Sequence, residues 1–225
     1  MEYLTPEEIK KENRSITNRF LLGRPLPLKG KAVSIFCNQV PSTNNKVLDV
    51  GTGSGNFLLE IFKKGYQEIY ACDIDNYLKN EVKPLIKDFK TLDLNFQKLS
   101  WADKFFDAVT AWEVLEHLEN PHHAIREINR ILRPGGLFIL SVPNIFHIVS
   151  RLVFLKSGLF PRWNETNNHI GLFPRGIFEK VFLKNFDLVR EGYVHAKINL
   201  PLLSKIKFLP ENQWFGNWVY YVLRK

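Results

Sequence analysis

The run Val47, Leu48, Asp49, Val50, Gly51, Thr52, Gly53, Ser54, Gly55 constrains this chain more than any other segment, because few folds follow an apolar strand with a turn of that kind. Alternate glycines admit left-handed backbone and let another molecule approach the main chain closely. The next stretch, with Phe57, Leu58, Leu59, Ile61 and Phe62, has the spacing of a helix that rests one apolar side on a sheet. A second apolar run, Ile69 to Cys72, ends in Asp73, 22 residues after Gly51. A carboxylate in that position can accept hydrogen bonds from both hydroxyls of a ribose. Strand, glycine turn, helix, strand and acid together specify a nucleotide-type site in an α/β domain.

Two cofactor chemistries fit such a site, and charge separates them. A nicotinamide-dinucleotide turn takes the pattern GxGxxG or GxGxxA, whereas this chain reads GxGxG followed by Asn56 and Phe57. Asp49 stands just before the turn, where a carboxylate repels a pyrophosphate but suits the cationic amino-acid end of S-adenosylmethionine, directly or through water. The turn therefore favours the sulfonium cofactor.

Four segments, VLDVGTGSGNF at 47–57, ACDID at 71–75, DKFFDAVTAWEVLEHLENP at 103–121 and INRILRPGGLFILSVPN at 128–144, occur in an order and spacing that resemble a known family. The chain resembles the class I S-adenosylmethionine-dependent methyltransferases, especially the group of ubiquinone-biosynthesis O-methyltransferases and type 11 methyltransferase domains. The resemblance implies an α/β fold with a seven-stranded Rossmann-like sheet in the order 3-2-1-4-5-7-6. It also implies an antiparallel last strand, helices on both faces and a helical cap. S-adenosylmethionine would be the donor and S-adenosylhomocysteine the product. By the same resemblance Asp49, Gly51, Thr52, Gly53 and Gly55 form the loop under the methionine moiety, Asp73 takes the ribose and Ile74 packs on the adenine. Asp93 is expected at the adenine amino group with Leu94 beside the ring. Asn95 is the alternative, because Ser100 and Trp101 stand where many relatives have proline and phenylalanine. Trp112 and Glu113 are expected on the methionine side of the pocket, unless Trp112 and Val114 serve only to pack the core.

Hydrophobic patterning predicts strands over 46–50, 68–72, 89–92, 106–111, 136–142, 187–194 and 217–223, and helices beginning near Asn56, Asn76 and Pro121. The helix from Pro121 has an apolar face of Ala124, Ile125, Ile128, Ile131 and Leu132, and Pro134, Gly135 and Gly136 are expected to stop it. Residues 1–45 read as a helical extension starting at Thr5 and Pro6, and 46–225 as the methyltransferase domain with a cap insertion at about 145–185. Within the cap, Asn144 to Lys156 reads as an apolar helix and another helix starts near Pro174. Cys37 and Cys72 make no disulfide framework, no apolar run reaches about 18 residues, and the polar start is unlike a secretory leader, so the cytoplasm is the expected compartment.

The net charge of +8 is concentrated at the C-terminal end, where residues 144–225 hold 12 basic and 5 acidic side chains. A basic, apolar cap suits an acceptor lid, an anionic membrane surface or another subunit, and equally a helix simply packed on the body; monomer and homodimer are both compatible with the sequence. The basic residues are dispersed, and AWEV follows the fourth strand in place of an NPPY-type tetrapeptide, which argues against a nucleic-acid substrate. The expected activity is methyl transfer to a small-molecule, lipid or sugar acceptor, most readily at oxygen. RNA or protein methylation and a cofactor-binding protein without turnover are the alternatives. A hydroxyl acceptor must lose a proton, and the candidate bases are His117, after the fourth strand, and His169, in a cap loop. Either histidine could instead be structural, His117 by bonding Glu113 or its own loop. Glu113 and Glu116 could orient His117 or bind a metal of the kind some catechol-type methyltransferases use, but no compact cluster of acids and histidines has metal-ligand spacing along the chain, so no required metal is expected.

Overall fold

A computed structural model describes Glu7 and residues 28–163, 168–195 and 210–225. The helix expected from Thr5 and Pro6 lies outside the described residues. Seven strands, β1 (Val47–Val50), β2 (Ile69–Asp73), β3 (Asp88–Thr91), β4 (Phe106–Trp112), β5 (Leu132–Pro143), β6 (Asp187–Val194) and β7 (Trp218–Arg224), form one sheet in the order β3-β2-β1-β4-β5-β7-β6. Strands β1 to β5 pair in parallel, and β7 lies antiparallel to both β5 and β6. The order and the antiparallel last strand are those the resemblance implies.

The chain runs outward from β1 to β3 and then returns to place β4 on the other side of β1. Where strand order reverses in this way, the connections at the carboxyl ends diverge and leave a crevice. Here that crevice lies over the ends of β1 and β4.

Two apolar layers cover the sheet. On one face α1 (Leu28–Gln39) and α2 (Asn56–Phe62) set Ala32, Phe36, Leu58 and Ile61 against Val47, Ile69, Ala108 and Ile139. On the other, α3 (Pro121–Ile131) buries Ala124, Ile125, Ile128 and Ile131 over Leu48, Val109 and Phe138. Asn120 caps α3 by accepting from His123 N at 3.2 Å, and Pro121 occupies the first turn, where no N–H partner is needed. The cap contributes α4 (Ile148–Ser157) and α5 (Arg175–Val181). Among the described residues, no helix is long and apolar enough to cross a membrane.

Three local expectations need correction. No α-helix starts near Asn76: Asp75 and Asn76 side chains accept from Asn76 N and Leu78 N, and only a 3-10 turn, Lys83–Leu85, forms around Pro84. Short polar side chains that bond the adjacent backbone offer an alternative to helical hydrogen bonds. The Pro134-Gly135-Gly136 run does not end α3, because Leu132 is already extended (φ −72°, ψ 138°) and opens β5 four residues before 136. Those residues instead form an irregular stretch of strand, with Gly135 at φ 77° and its N–H on Lys225 O. Finally, α4 begins at Ile148 and not at Asn144, whose amide is held by the carbonyls of Gln213 and Gly216.

Ile128 is fully buried beneath the sheet. Ile128→Ala is expected to lower unfolding free energy by about 2–5 kcal/mol in urea titration.

Candidate active site

The cofactor half is built at the ends of β1 and β2. Asp49 is only 3% exposed; its Oδ1 accepts from Thr110 Oγ1 at 2.6 Å and its Oδ2 from Thr52 Oγ1 at 2.9 Å. Desolvation raises its pKa to about 7, against the lowering effect of the two hydroxyls, and Asp73 pushes the same way as burial. Asp73 Oδ2 accepts from Gly53 N and its Oδ1 from Ile74 N, each at 2.7 Å. Burial lifts Asp73 to about 6 in spite of those bonds.

The three glycines differ in purpose, although all are left-handed at φ 68°, 53° and 75°. A Cβ at Gly51 would lie 2.5 Å from Val114 Cγ2, and one at Gly55 would lie 2.6 Å from Val82 Cγ1. A Cβ at Gly53 would meet nothing within 4 Å, so open space lies over the middle of the loop. Packing explains the outer two, whereas the third leaves the main chain open to close approach by a ligand. Ile74 is half-buried beside Asp73. Asp93 is half-buried and its Oδ1 accepts from both N and Nδ2 of Asn95. Asn95 is buried and its Oδ1 accepts from Asn120 N, so it ties this loop to the cap of α3. Leu94 is buried behind them.

Trp112 ends β4, packs on Phe57 with ring centroids 5.5 Å apart, and has a buried Nε1 with no hydrogen-bond partner. Glu113 follows in left-handed backbone at φ 56°, an unusual conformation for a residue with a Cβ. Ser141 fixes it by donating from Oγ to Glu113 Oε1 at 3.0 Å. Desolvation raises Glu113 to about 7, with Arg162 and hydrogen bonds from Ser141 and Trp218 opposing.

Leu115–His117 then forms a 3-10 turn against which the cap loop docks. The N–H groups of Ile170 and Gly171 both donate to Glu116 O at 2.8 Å. This brings His169 beside His117, ring centroids 4.7 Å apart, with Trp163 5.5 Å from His169. His117 Nδ1 lies 3.2 Å from Asn168 O. Because a carbonyl only accepts, Nδ1 carries the proton and Nε2 has the lone pair in the neutral ring. Desolvation lowers the pKa of His117 and takes His169 to about 4, with His117 and Arg162 adding to the second shift. Both rings are neutral at pH 7. Glu116 is 0% exposed, neither carboxylate oxygen has a hydrogen-bond partner, and burial drives its pKa well above the carboxylate range.

Sequence spacing did not single out Thr110, Ser141 or Arg162 for the site, and gave Glu116, with Glu113, an orienting role toward His117 or a metal-binding one. Nothing in a lone threonine or serine on a strand marks it for an acid 61 or 28 residues away. The acidic pair at 113 and 116 was visible, but not that Arg162 reaches both electrostatically from the cap.

The chain belongs to the methyltransferase-domain family, which matches residues 7–189. It is 28% identical over 115 residues to a ubiquinone/menaquinone biosynthesis C-methyltransferase of Rickettsia prowazekii, covering 46% of each chain. It is also 28% identical over 127 residues to the mitochondrial ubiquinone biosynthesis O-methyltransferase of Dictyostelium discoideum, covering 53% of this chain and 37% of that one. The matches thus span less than half the length of these relatives. Its fold is that of the class I S-adenosylmethionine-dependent methyltransferases: a chain from the complex of a methyltransferase with the Haloferax volcanii Trm112 activator superposes with a TM-score of 0.66 over 96% of both chains, at 17% identity.

The residues present fit that family's cofactor. Open space over Gly53, an acid at each of two strand ends and an orphaned indole N–H suit a ligand with an ammonium, a ribose and a carboxylate. With Asp49 near 7, its ionised fraction falls about tenfold between pH 8 and pH 6. Affinity for S-adenosylhomocysteine, which carries the same ammonium, is therefore expected to fall about tenfold on acidification over that range in calorimetric titration. Asp49→Asn is expected to bind weakly at pH 8 and to flatten the slope.

Proposed function

We propose that this protein transfers the methyl group of S-adenosylmethionine to a small-molecule, lipid or sugar acceptor, with oxygen as the acceptor atom. The observation that carries the reading is the meeting of His117 and His169 beneath the cap loop, directly after the strand whose end borders the cofactor loop. The names of the relatives, a C-methyltransferase and an O-methyltransferase of quinone biosynthesis, support a small-molecule acceptor, and the second supports oxygen as the acceptor atom. When bound, the cofactor supplies an electrophilic methyl on a positively charged sulfur.

The chain's own residues have the remaining tasks of binding, orientation, exclusion of water and proton removal. Asp49 takes the ammonium and Asp73 the ribose hydroxyls; Trp112 offers its free N–H, and Glu113 borders the methionine side. Asp93 and Leu94 serve the adenine. The loop from Asn168 to Gly171 closes the acceptor side by its bonds to Glu116 O. His117, neutral and proton-bearing at Nδ1, presents Nε2 as the base for an acceptor hydroxyl, and His169 flanks it.

A lipid-type acceptor is favoured by one further observation. Helix α4 buries only Ser150 and leaves Val149, Leu152, Phe154 and Leu155 exposed, the last at 81%, with Lys156 at its end. In a region of strong positive charge this face suits an anionic membrane surface. Co-sedimentation with phosphatidylglycerol vesicles at low salt is the expected result, and its absence removes the membrane reading.

The reading as a whole is tested by S-adenosylhomocysteine formation against a panel of phenols, quinone precursors and sugars. Tight cofactor binding with no product from any acceptor would select the cofactor-binding alternative. His117→Ala is expected to lower kcat by about 100-fold or more while cofactor affinity stays within about threefold; unchanged turnover rejects the base assignment.

A further inference from the structure

Glu116, His117 and His169 present one carboxylate oxygen and two imidazole nitrogens that lie within 4.8 Å of one another. We propose that these three side chains form a binding site for one divalent transition cation of the zinc type, with an open position facing the acceptor side. Three protein ligands, two imidazoles and a carboxylate, are the donor set of catalytic sites that keep a fourth position for water or substrate. Bond lengths of about 2.0–2.2 Å bring neighbouring tetrahedral ligand atoms to about 3.5 Å, so side-chain rotations that close the widest pair by at most about 1.3 Å complete the geometry.

Three independent features support the site. Glu116 is wholly buried, yet both its carboxylate oxygens lack a hydrogen bond while its backbone carbonyl holds two. A buried carboxylate in that condition costs several kcal/mol unless a proton or a cation relieves it. The outer nitrogens are already organised: His117 donates from Nδ1 to the carbonyl of Asn168, and the Arg162 backbone accepts from the His169 ring. Metal-bound histidines commonly make this second bond, which fixes the tautomer and aims the lone pair. The loop carrying His169 is also held in place, since the bonds from Ile170 and Gly171 to Glu116 O seat it against the same turn. Gly171 is needed there, because a Cβ would lie 3.1 Å from Leu115 O and 3.2 Å from Glu116 Cα.

Charge is compatible with a cation. Arg162 is the positive group that acts on both Glu113 and Glu116, and it also lies 4.9 Å from the Trp218 ring centroid. One guanidinium facing two carboxylates leaves a net negative charge when both are ionised. Cation binding is independent of the methyl-transfer proposal; only its use in activating an acceptor oxygen rests on that reading. In that use His117 Nε2 would be a ligand and could not also serve as the base, so the cation would take over that role by supplying the acidity of a bound hydroxyl.

The test uses full-length protein stripped with chelator and dialysed, titrated first with Co2+ and then with Zn2+, with S-adenosylhomocysteine affinity measured on the same samples. The expected result is one equivalent of Co2+ with visible bands of a four- or five-coordinate site, displaced by Zn2+. Glu116→Gln and His169→Ala are each expected to weaken binding more than about tenfold, whereas His122→Ala, exposed at the start of α3, leaves it unchanged. Glu116→Gln keeps the buried shape and serves as the reference should His169→Ala lose its fold. Absence of stoichiometric Co2+ binding by the wild type overturns the site, as does binding unaltered in both ligand variants. Retained S-adenosylhomocysteine binding in either case leaves the methyl-transfer reading standing, while its loss counts against that reading alone.

Discussion

The bond from Thr110 to Asp49 is the interaction on which the site depends. It joins the two central strands, β4 and β1, at the point where their connections part, and it fixes a carboxylate that water no longer reaches. Thr52 holds the other oxygen from within the glycine loop, so one acid sets both the sheet edge and the turn that rises from it. The expense is electrostatic: at neutral pH the charged form of Asp49 is only about as stable as the neutral one. A ligand that brings a positive charge resolves that balance in favour of the anion, so the cavity is poised to respond to the sign of what enters it.

A second junction joins the turn after β4 to the cap. Glu113 occupies backbone space that most residues avoid, and Ser141 on the neighbouring strand holds it there with side-chain and backbone contacts. The strained residue sits between the cofactor loop and the histidine pair. Asn95 makes a comparable link after β3, where it bridges Asp93 and the N-cap residue Asn120 of α3.

Much of the fold was legible because its signals are local. The glycine loop, the acid ending β2 and the apolar face of α3 all follow from spacing within about a dozen residues, and the structure places them accordingly. The strand order came from the likeness to a family, and the sheet has it. Failures came where side chains compete with the backbone: Asp75 and Asn76 consume the N–H groups that a helix would have used. The pairing of His117 with His169 was illegible for another reason, since 52 residues separate them and only the docking of the cap loop on Glu116 unites them. Linear spacing could not show that a carboxylate and two imidazoles share one small volume.

The sheet order has a consequence for how the molecule is made. Among the described residues, strand β6 reaches the rest of the sheet only through β7, which is synthesised after it and must slot between β5 and β6. During translation β5 therefore presents an unpaired edge, and β6 has no strand neighbour among the described residues, until the segment from Trp218 onward has left the ribosome. The five parallel strands can assemble beforehand, but closure of the β5 edge waits for the final strand, so a nascent chain halted short of β7 would expose that edge to other proteins.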